Sequence, residues 1–536
     1  MGDDVNMHYG SDSGVSIIGG GLAGSEAAWQ LAERGVAVQL YEMRPHRSTP
    51  AHSTAEFAEL VCSNSLKSMV VPSAAATLKS ELALMGSMVL NVALDCRLPA
   101  GQALAVDRTD FAKKISNIIT QHPRITVIRQ EVFSVADVQR SDHSQVIVAT
   151  GPLTADALAQ DIATLVGTEH LAFFDAAAPI VEADSLDMSK LFVQSRYDKG
   201  TGYTSSASGT CNSNDPSSTS GTSNPNGTNG TSNPNGTNGD YLNAALSQQQ
   251  YATLIQELCG AKKVNRQSFE TADLFQACQP VEEIARFGPE ALRHGALKPF
   301  GLRDPHSSQA PYAVVQLRAE NAVKSAYNLV GFQTNLTFAE QERVFRLIPG
   351  LRNARFSRFG VMHRNSFIDA PHALGPTLEL PNRPSVRFAG QITGTEGYTE
   401  AIASGLYAAL NCYARIKGKP PVLLPRSSTF GALLAYATDP ATTAYQPLHV
   451  NYGIMLPLSR PPKKKRLRYE AYSQRALAAI TAFRSERADL DFAPAYSLAI
   501  EQDDTGIAFA SGAPVRTFSI GRSRASSADS DSTQRA

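Results

Sequence analysis

Three glycines and a carboxylate have the spacing of a dinucleotide site. Gly19, Gly21 and Gly24 form G-x-G-x-x-G within Val15-Ser-Ile-Ile-Gly-Gly-Gly-Leu-Ala-Gly-Ser-Glu26, and Glu42 follows after about 20 residues. In this pattern Gly19 permits a tight turn and Gly21 lets the backbone approach a pyrophosphate. Gly24 lets the following helix pack closely on the strand. Gly20, Leu22 and Ala23 complete the loop and the first helical turn, whose N–H groups and positive dipole end attract phosphate. Glu42 is placed to accept from a ribose 2′-hydroxyl, which favours an adenosine without a 2′-phosphate. A second glycine-rich unit runs from Arg387 to Gly405 and carries Gly390, Gly394, Thr395, Glu396 and Thr399 ahead of a helix expected near Thr399. A helix start there can stabilise negative charge on an electron-accepting ring. Two such units favour FAD over NAD as the tightly held dinucleotide.

The elements that must position these residues can be read from hydrophobic pattern. Val15–Ile18 and Val36–Tyr41 read as strands flanking an Ala-rich helix, and Gln145-Val-Ile-Val-Ala-Thr-Gly151 as a further apolar strand. From about Leu171 the pattern changes to short strands with polar interruptions, which predicts an inserted α+β unit. Residues 201–239 are nearly all Gly, Ser, Thr, Asn and Pro and repeat a nonapeptide, so they predict a disordered surface loop.

Composition narrows the function classes. The 536 residues allow two or three domains, and 43% hydrophobic with 18% charged residues is ordinary globular composition. Net charge is zero, so any nucleic-acid surface must be local. Lys463, Lys464, Lys465, Arg466 and Arg468 form the densest positive cluster, which reads as a solvated face unless the chain acts on RNA, in which case these are its candidate RNA contacts. Neither a membrane span nor a secretory leader is expected, and the cytoplasm is the expected location. Cys62, Cys96, Cys211, Cys259, Cys278 and Cys412 lack metal-site spacing, so no metal is expected and most thiols read as small buried hydrophobes.

Longer motifs make the reading more specific. GGGLAGSEAA (19–28), FAELVCSNSLK (57–67), PAGQALAVDR (99–108), CQPVEEI (278–284), LKPFGL (297–302), AGQITGTEGYTEAIAS (389–404) and QPLHVNYG (446–453) occur in order. With them the chain resembles, over roughly residues 14–485, the folate- and FAD-dependent tRNA uracil-5 methyltransferases called TrmFO, formerly Gid. The resemblance implies an α/β FAD-binding dinucleotide fold of GidA or glutathione-reductase type with an inserted α+β domain. It implies 5,10-methylenetetrahydrofolate as one-carbon donor, NADPH or NADH as reductant, and tRNA as substrate, with uridine 54 of the T loop the target. Cys278 matches the family's nucleophile, and Cys62 matches a second functional cysteine near the flavin. Arg286, Arg293, His294 and Lys298 could supply positive potential near Cys278; His52, Tyr398 and Glu400 are softer candidates. Gly20 stands where many members have Ala, a difference expected to be harmless.

The expected domains are a disordered start (1–13), a discontinuous FAD-binding domain (14–185 and 300–415) and an insertion domain (186–299). A C-terminal segment with the basic run (416–491) and a polar disordered tail (492–536) follow. Other readings keep part of this chemistry: methylation of a 23S rRNA uridine, wobble-uridine modification of the GidA or MnmG type, or a flavin-bearing RNA-binding protein without catalysis. No obligate protein partner is evident. An ordinary NAD(P)H:acceptor flavoenzyme would leave FAELVCSNS and the basic run unexplained.

Overall fold

The structure is a computed structural model and describes residues 14–141, 144–167, 171–198, 239–264, 279–442, 445–496, 498–502 and 508–512. The expected disordered start and Cys278 lie outside these residues, as does all of the 201–239 insert but Gly239.

The chain opens with strand β1 (Val15–Ile18), helix α1 (Leu22–Glu33) and strand β2 (Val38–Tyr41), and β1 and β2 pair in parallel. Helix α2 (Ala74–Leu84) leads on to β3 (Ile125–Ile128) and β4 (Gln145–Val148), which join the same sheet in parallel. Leu171–Ala176 and Met362–Phe367 form an antiparallel pair that carries the chain into and out of a second unit. That unit is built on β5 (Ile180–Glu182), β6 (Leu191–Val193), β7 (Tyr241–Leu246), helix α3 (Val281–Arg286), β8 (Ala313–Ala319), β9 (Ala326–Leu329) and β10 (Phe356–Arg358). Its sheet has the order β6-β7-β8-β9-β5-β10 and is antiparallel throughout. The chain then returns through β11 (Glu379–Leu380) and β12 (Arg383–Phe388) to complete the first sheet, whose order is β11-β12-β4-β1-β2-β3. Helices α4 (Tyr398–Ile416), α5 (Thr429–Thr438) and α6 (Lys465–Glu486) follow.

The strand order in the first sheet reverses at β1, between β2 and β4. Open α/β sheets bind ligands at this point, beyond the carboxyl ends of the strands. Each sheet has its own buried apolar core. Helices α1 and α4 meet so closely that a Cβ at Gly405 would lie 2.2 Å from the Ala23 carbonyl oxygen.

Two boundaries fall elsewhere than the sequence pattern places them. Strands β8, β9 and β10, expected with the nucleotide-binding half beyond residue 299, pair within the inserted sheet. The all-buried AVVQLRA of β8 would suit a central strand of either sheet, so its pattern does not say which. The segment after residue 491 does not leave the body at once. The Tyr496 hydroxyl donates to the Ser87 carbonyl at 2.8 Å, and Leu498–Gln502 pairs with Ala508–Gly512.

Candidate active site

The loop after β1 turns through Gly19 at φ +102°, where a Cβ would fall 2.6 Å from the Ala149 carbonyl. Helix α1 starts from Gly21 with no side chain capping it, and the space in front of a Cβ at Gly21 is open. Gly24 is packed the other way, since its Cβ would lie 1.9 Å from the Gly19 carbonyl oxygen. Gly19, Gly20, Gly21, Glu42, Arg44, His52 and Thr150 line a cleft with an empty volume of about 580 Å³. Of the fingerprint residues, Leu22, Ala23 and Gly24 lie behind this wall rather than on it.

Glu42 is more occupied than a ribose ligand alone would need. Its Oε2 accepts from the Gly20 amide at 3.0 Å and from Arg44 Nη2 at 3.1 Å, and its Oε1 accepts from the Arg44 amide and Nε at 3.0 and 2.9 Å. A ribose hydroxyl would have to share one of these positions. Burial opposes the charge of Glu42, but Arg44 and the Gly20 amide more than offset it and hold the carboxyl below its usual range. His52 is pushed down to about 4 by burial and the Arg44 charge, so it is neutral at physiological pH.

Leu153 lines this cleft and also a second one of about 1030 Å³, walled by Cys62, Ser63, Lys67, Glu396, Thr399 and His449. The N-terminus of α4 opens onto it through Gly397, again without a side-chain cap. Thr399 Oγ1 is buried without a hydrogen-bond partner. The Tyr398 hydroxyl accepts from the amides of Cys62 and Ser63 at 2.9 and 3.2 Å. Both its lone pairs are then used and its own proton is left to donate. Burial pushes this phenol well up, so it keeps that proton. Among the other expected residues, Gly390, Gly394 and Thr395 shape the loop from behind. Thr395 Oγ1 donates to the Gly390 carbonyl at 3.0 Å, and a Cβ at Gly394 would strike the Tyr445 hydroxyl at 2.3 Å.

Comparison with known proteins settles the family. Residues 14–218 and 222–420 match the family model described as glucose inhibited division protein A. The chain is 47% identical over 463 residues, 86% of it and 96% of the relative, to a Moorella thermoacetica protein. That protein is named methylenetetrahydrofolate--tRNA-(uracil-5-)-methyltransferase TrmFO. A Bacillus mycoides protein of the same name is 42% identical over 88% of this chain and 98% of its own. The chain belongs to the TrmFO family. The fold is that of Aquifex aeolicus GidA, with a TM-score of 0.58 at 16% identity over 89% of this chain and 75% of that one.

The TrmFO motif FAELVCSNSLK is a clamp between the two units. Phe57 is buried under Gly20, where a Cβ would lie 2.3 Å from its ring, so alanine at position 20 would displace Phe57 in this chain. Asn64 Nδ2 donates to the Val106 and Ala319 carbonyls at 3.1 and 3.0 Å, while its Oδ1 accepts from Arg318 Nε at 2.7 Å. Arg358 Nη2 donates to the Val61 carbonyl at 2.8 Å. Residues from the inserted sheet therefore set the Cys62 loop from one side and Tyr398 sets it from the other.

Glu59 accepts from the amides and hydroxyls of Ser53 and Thr54 at 2.8–3.0 Å and from the buried Arg44 at 3.3 Å. Glu59→Gln should destabilise the protein by about 3 kcal/mol at pH 7, the scale for breaking a buried pair. Burial opposes the Glu59 charge and the Ser53 and Thr54 donors more than offset it, so the folded carboxyl lies below its ordinary 4.5. Its contribution is therefore present above that value and is lost as pH falls through the depressed folded one. Urea unfolding of both proteins at pH 7 and near pH 3.5 should show the gap narrowing in acid. An equal gap at both values would contradict this.

The basic run forms the exposed start of α6. Lys463, Lys464, Lys465 and Arg466 are exposed and Arg468 half-buried; Arg466 Nε contacts Glu470 Oε1 at 3.0 Å. Cations at a helix N-terminus oppose the dipole, so this placement is not one that helix stability favours. The segment that carries His449 to the cleft continues to Tyr452, whose ring meets Tyr469 and Tyr472 of α6 at 4.9 and 5.4 Å. Among the described residues no helix is long and apolar enough to cross a membrane, and no group of His, Cys, Asp and Glu is arranged to hold a metal.

Proposed function

We propose that the chain methylates C5 of a uridine in tRNA, position 54 of the T loop, with 5,10-methylenetetrahydrofolate as one-carbon donor and NADPH or NADH as electron source. The observation that carries this reading is the meeting of Cys62, the Tyr398 hydroxyl and the uncapped start of α4 in a cleft that shares Leu153 with the glycine-lined one. The chain is 42–47% identical to proteins named for this activity.

The walls fit FAD. Gly19, Gly20 and Gly21 with the uncapped start of α1 suit its pyrophosphate, Glu42 and Arg44 its adenosine end, and Glu396, Gly397 and Thr399 its ring. Bound there and reduced by NADPH or NADH, FAD would supply the two electrons that take a methylene carbon, at the formaldehyde oxidation level, to methyl. The chain's own residues do the rest. Uracil C5 is a poor nucleophile until a group adds at C6, and the Cys278 thiolate is assigned that addition. Cys62, on the wall of the second cleft, is the second catalytic cysteine of this reading. Tyr398 fixes the Cys62 backbone and keeps a proton to donate. The basic face of α6 holds RNA phosphates, and the target base must leave the folded RNA to reach the cleft.

The test offers holoprotein, NADPH and methylene-labelled methylenetetrahydrofolate an unmodified tRNA transcript and, in parallel, a 23S rRNA fragment. Labelled 5-methyluridine in tRNA is expected, with none when S-adenosylmethionine replaces the folate. Label only in the rRNA fragment would overturn the substrate, and no label in either RNA would overturn the activity. Replacing Lys463, Lys464 and Lys465 with Ser should weaken tRNA binding and lower the salt slope of log K by about one for each phosphate no longer neutralised. An unchanged slope would remove the run from the interface.

A further inference from the structure

The second cleft holds a charge cluster that the reading above leaves unused. Lys67 Nζ lies 3.0 Å from Glu400 Oε1 and 2.7 Å from His449 Nδ1. The Glu400 side chain is 1% exposed while that of Lys67 is 34% exposed, so the cleft meets the cation and the anion stands behind it. The cluster is assembled at a cost. Lys67 adopts a left-handed backbone at φ +63°, strained for a residue with a side chain. Gly397, at φ +113°, leaves room for the pair: its Cβ would lie 2.4 Å from Glu400 Oε2 and 2.7 Å from Lys67 Nζ. Glu400 Oε2 is buried without a hydrogen-bond partner. A buried ion pair contributes little net stability, so strain, an obligatory glycine and an unmatched carboxylate oxygen are not explained by stability alone.

Other titratable groups share the cleft with the ammonium or stand close to it. Glu396 lines the same cleft and accepts from Gln391 Nε2. His449 is held neutral, burial and Lys67 both lowering its pKa. Lys79 is buried behind the cluster, its Nζ donating to the Ser68 carbonyl at 3.1 Å.

We propose that Lys67 is the cation that sets the electron affinity of the ring held in this cleft, with the buried Glu400 as the counter-charge that tempers it beside the N-terminus of α4. Ammonium and helix start add positive potential at one end of the cleft and favour the reduced, more negative form of the ring bound there. This rests on the FAD reading above.

The experiment measures the midpoint potential of the flavin in the holoprotein as purified, against reference dyes, for the wild type, Lys67→Met, Lys67→Arg and Glu400→Gln. Lys67→Met should shift the reduced-to-oxidised ratio at fixed poise about tenfold toward oxidised, about 30 mV for a two-electron couple. Lys67→Arg should stay within about threefold of the wild type. Glu400→Gln keeps the cation, removes its counter-charge and should move the potential the opposite way. That second variant decides the matter if Lys67→Met does not fold. A flavin-replete Lys67→Met at wild-type potential would overturn the proposal, as would a Glu400→Gln shift in the same direction as Lys67→Met. Wild-type protein that purifies without flavin and takes none up would instead overturn the FAD reading.

Discussion

Cys278→Ala should lower methyl transfer by roughly 10⁴-fold or more while leaving flavin content and tRNA binding near wild type. The reason is chemical. Without addition at C6 the uracil ring does not become an enolate, and C5 has no electron pair to offer the one-carbon unit. The thiolate is regenerated when C6 is released, so its loss blocks every turnover. Cys62→Ala is the informative companion. Its backbone is held by Tyr398 and its loop by Arg358 and Asn64, none of which needs the thiol, so the site should keep its shape. A Cys62→Ala enzyme that traps a covalent RNA adduct without releasing product would separate the two roles. A Cys278→Ala enzyme that still transfers label would remove Cys278 from the mechanism.

Gly24→Ala should yield protein that holds no flavin and unfolds at least about 3 kcal/mol more easily, the upper end for overpacking a core. The added methyl would stand 1.9 Å from the Gly19 carbonyl oxygen and 3.4 Å from the Ala149 methyl, and the nearer obstacle is backbone. No side-chain rotation relieves that contact. Either α1 moves away from β1 or the Gly19 turn opens, and both misplace the amides expected to meet the pyrophosphate. Gly21→Ala is the contrast, because nothing in the protein lies within 4 Å of its Cβ. That variant should fold normally and lose only affinity for the dinucleotide. Absorbance at the flavin maximum, set against thermal unfolding of both variants, separates packing from binding. Equal stability for the two variants would defeat the argument.

The parts of the site read most directly from sequence are those built within one stretch of chain. The first fingerprint lies within a single βαβ unit, so spacing alone fixed its geometry: Gly19, Gly20 and Gly21 line the cleft and Gly24 packs. The uncapped start of α4 is equally local, and its expected beginning near Thr399 lies one residue from the observed Tyr398. Motif resemblance was informative beyond spacing because it reports residues held together by the fold without saying how. It marked Asn64 and Lys67 as members of FAELVCSNSLK but not their tasks, which depend on Arg318 and Ala319 for one and on Glu400 and His449 for the other.

By itself, then, the sequence determined a dinucleotide-binding α/β half, the family, and the short-range devices that turn glycines toward a ligand. Each follows from local sterics and hydrogen bonding within a few tens of residues. Only the tertiary structure decided that β8, β9 and β10 belong to the inserted sheet, that Glu42 is already engaged by Arg44 and Gly20, and that Lys67 stands at the mouth of α4. Contacts between residues hundreds of positions apart are set by how two cores close on one another, and neither periodicity nor spacing along the chain encodes that closure.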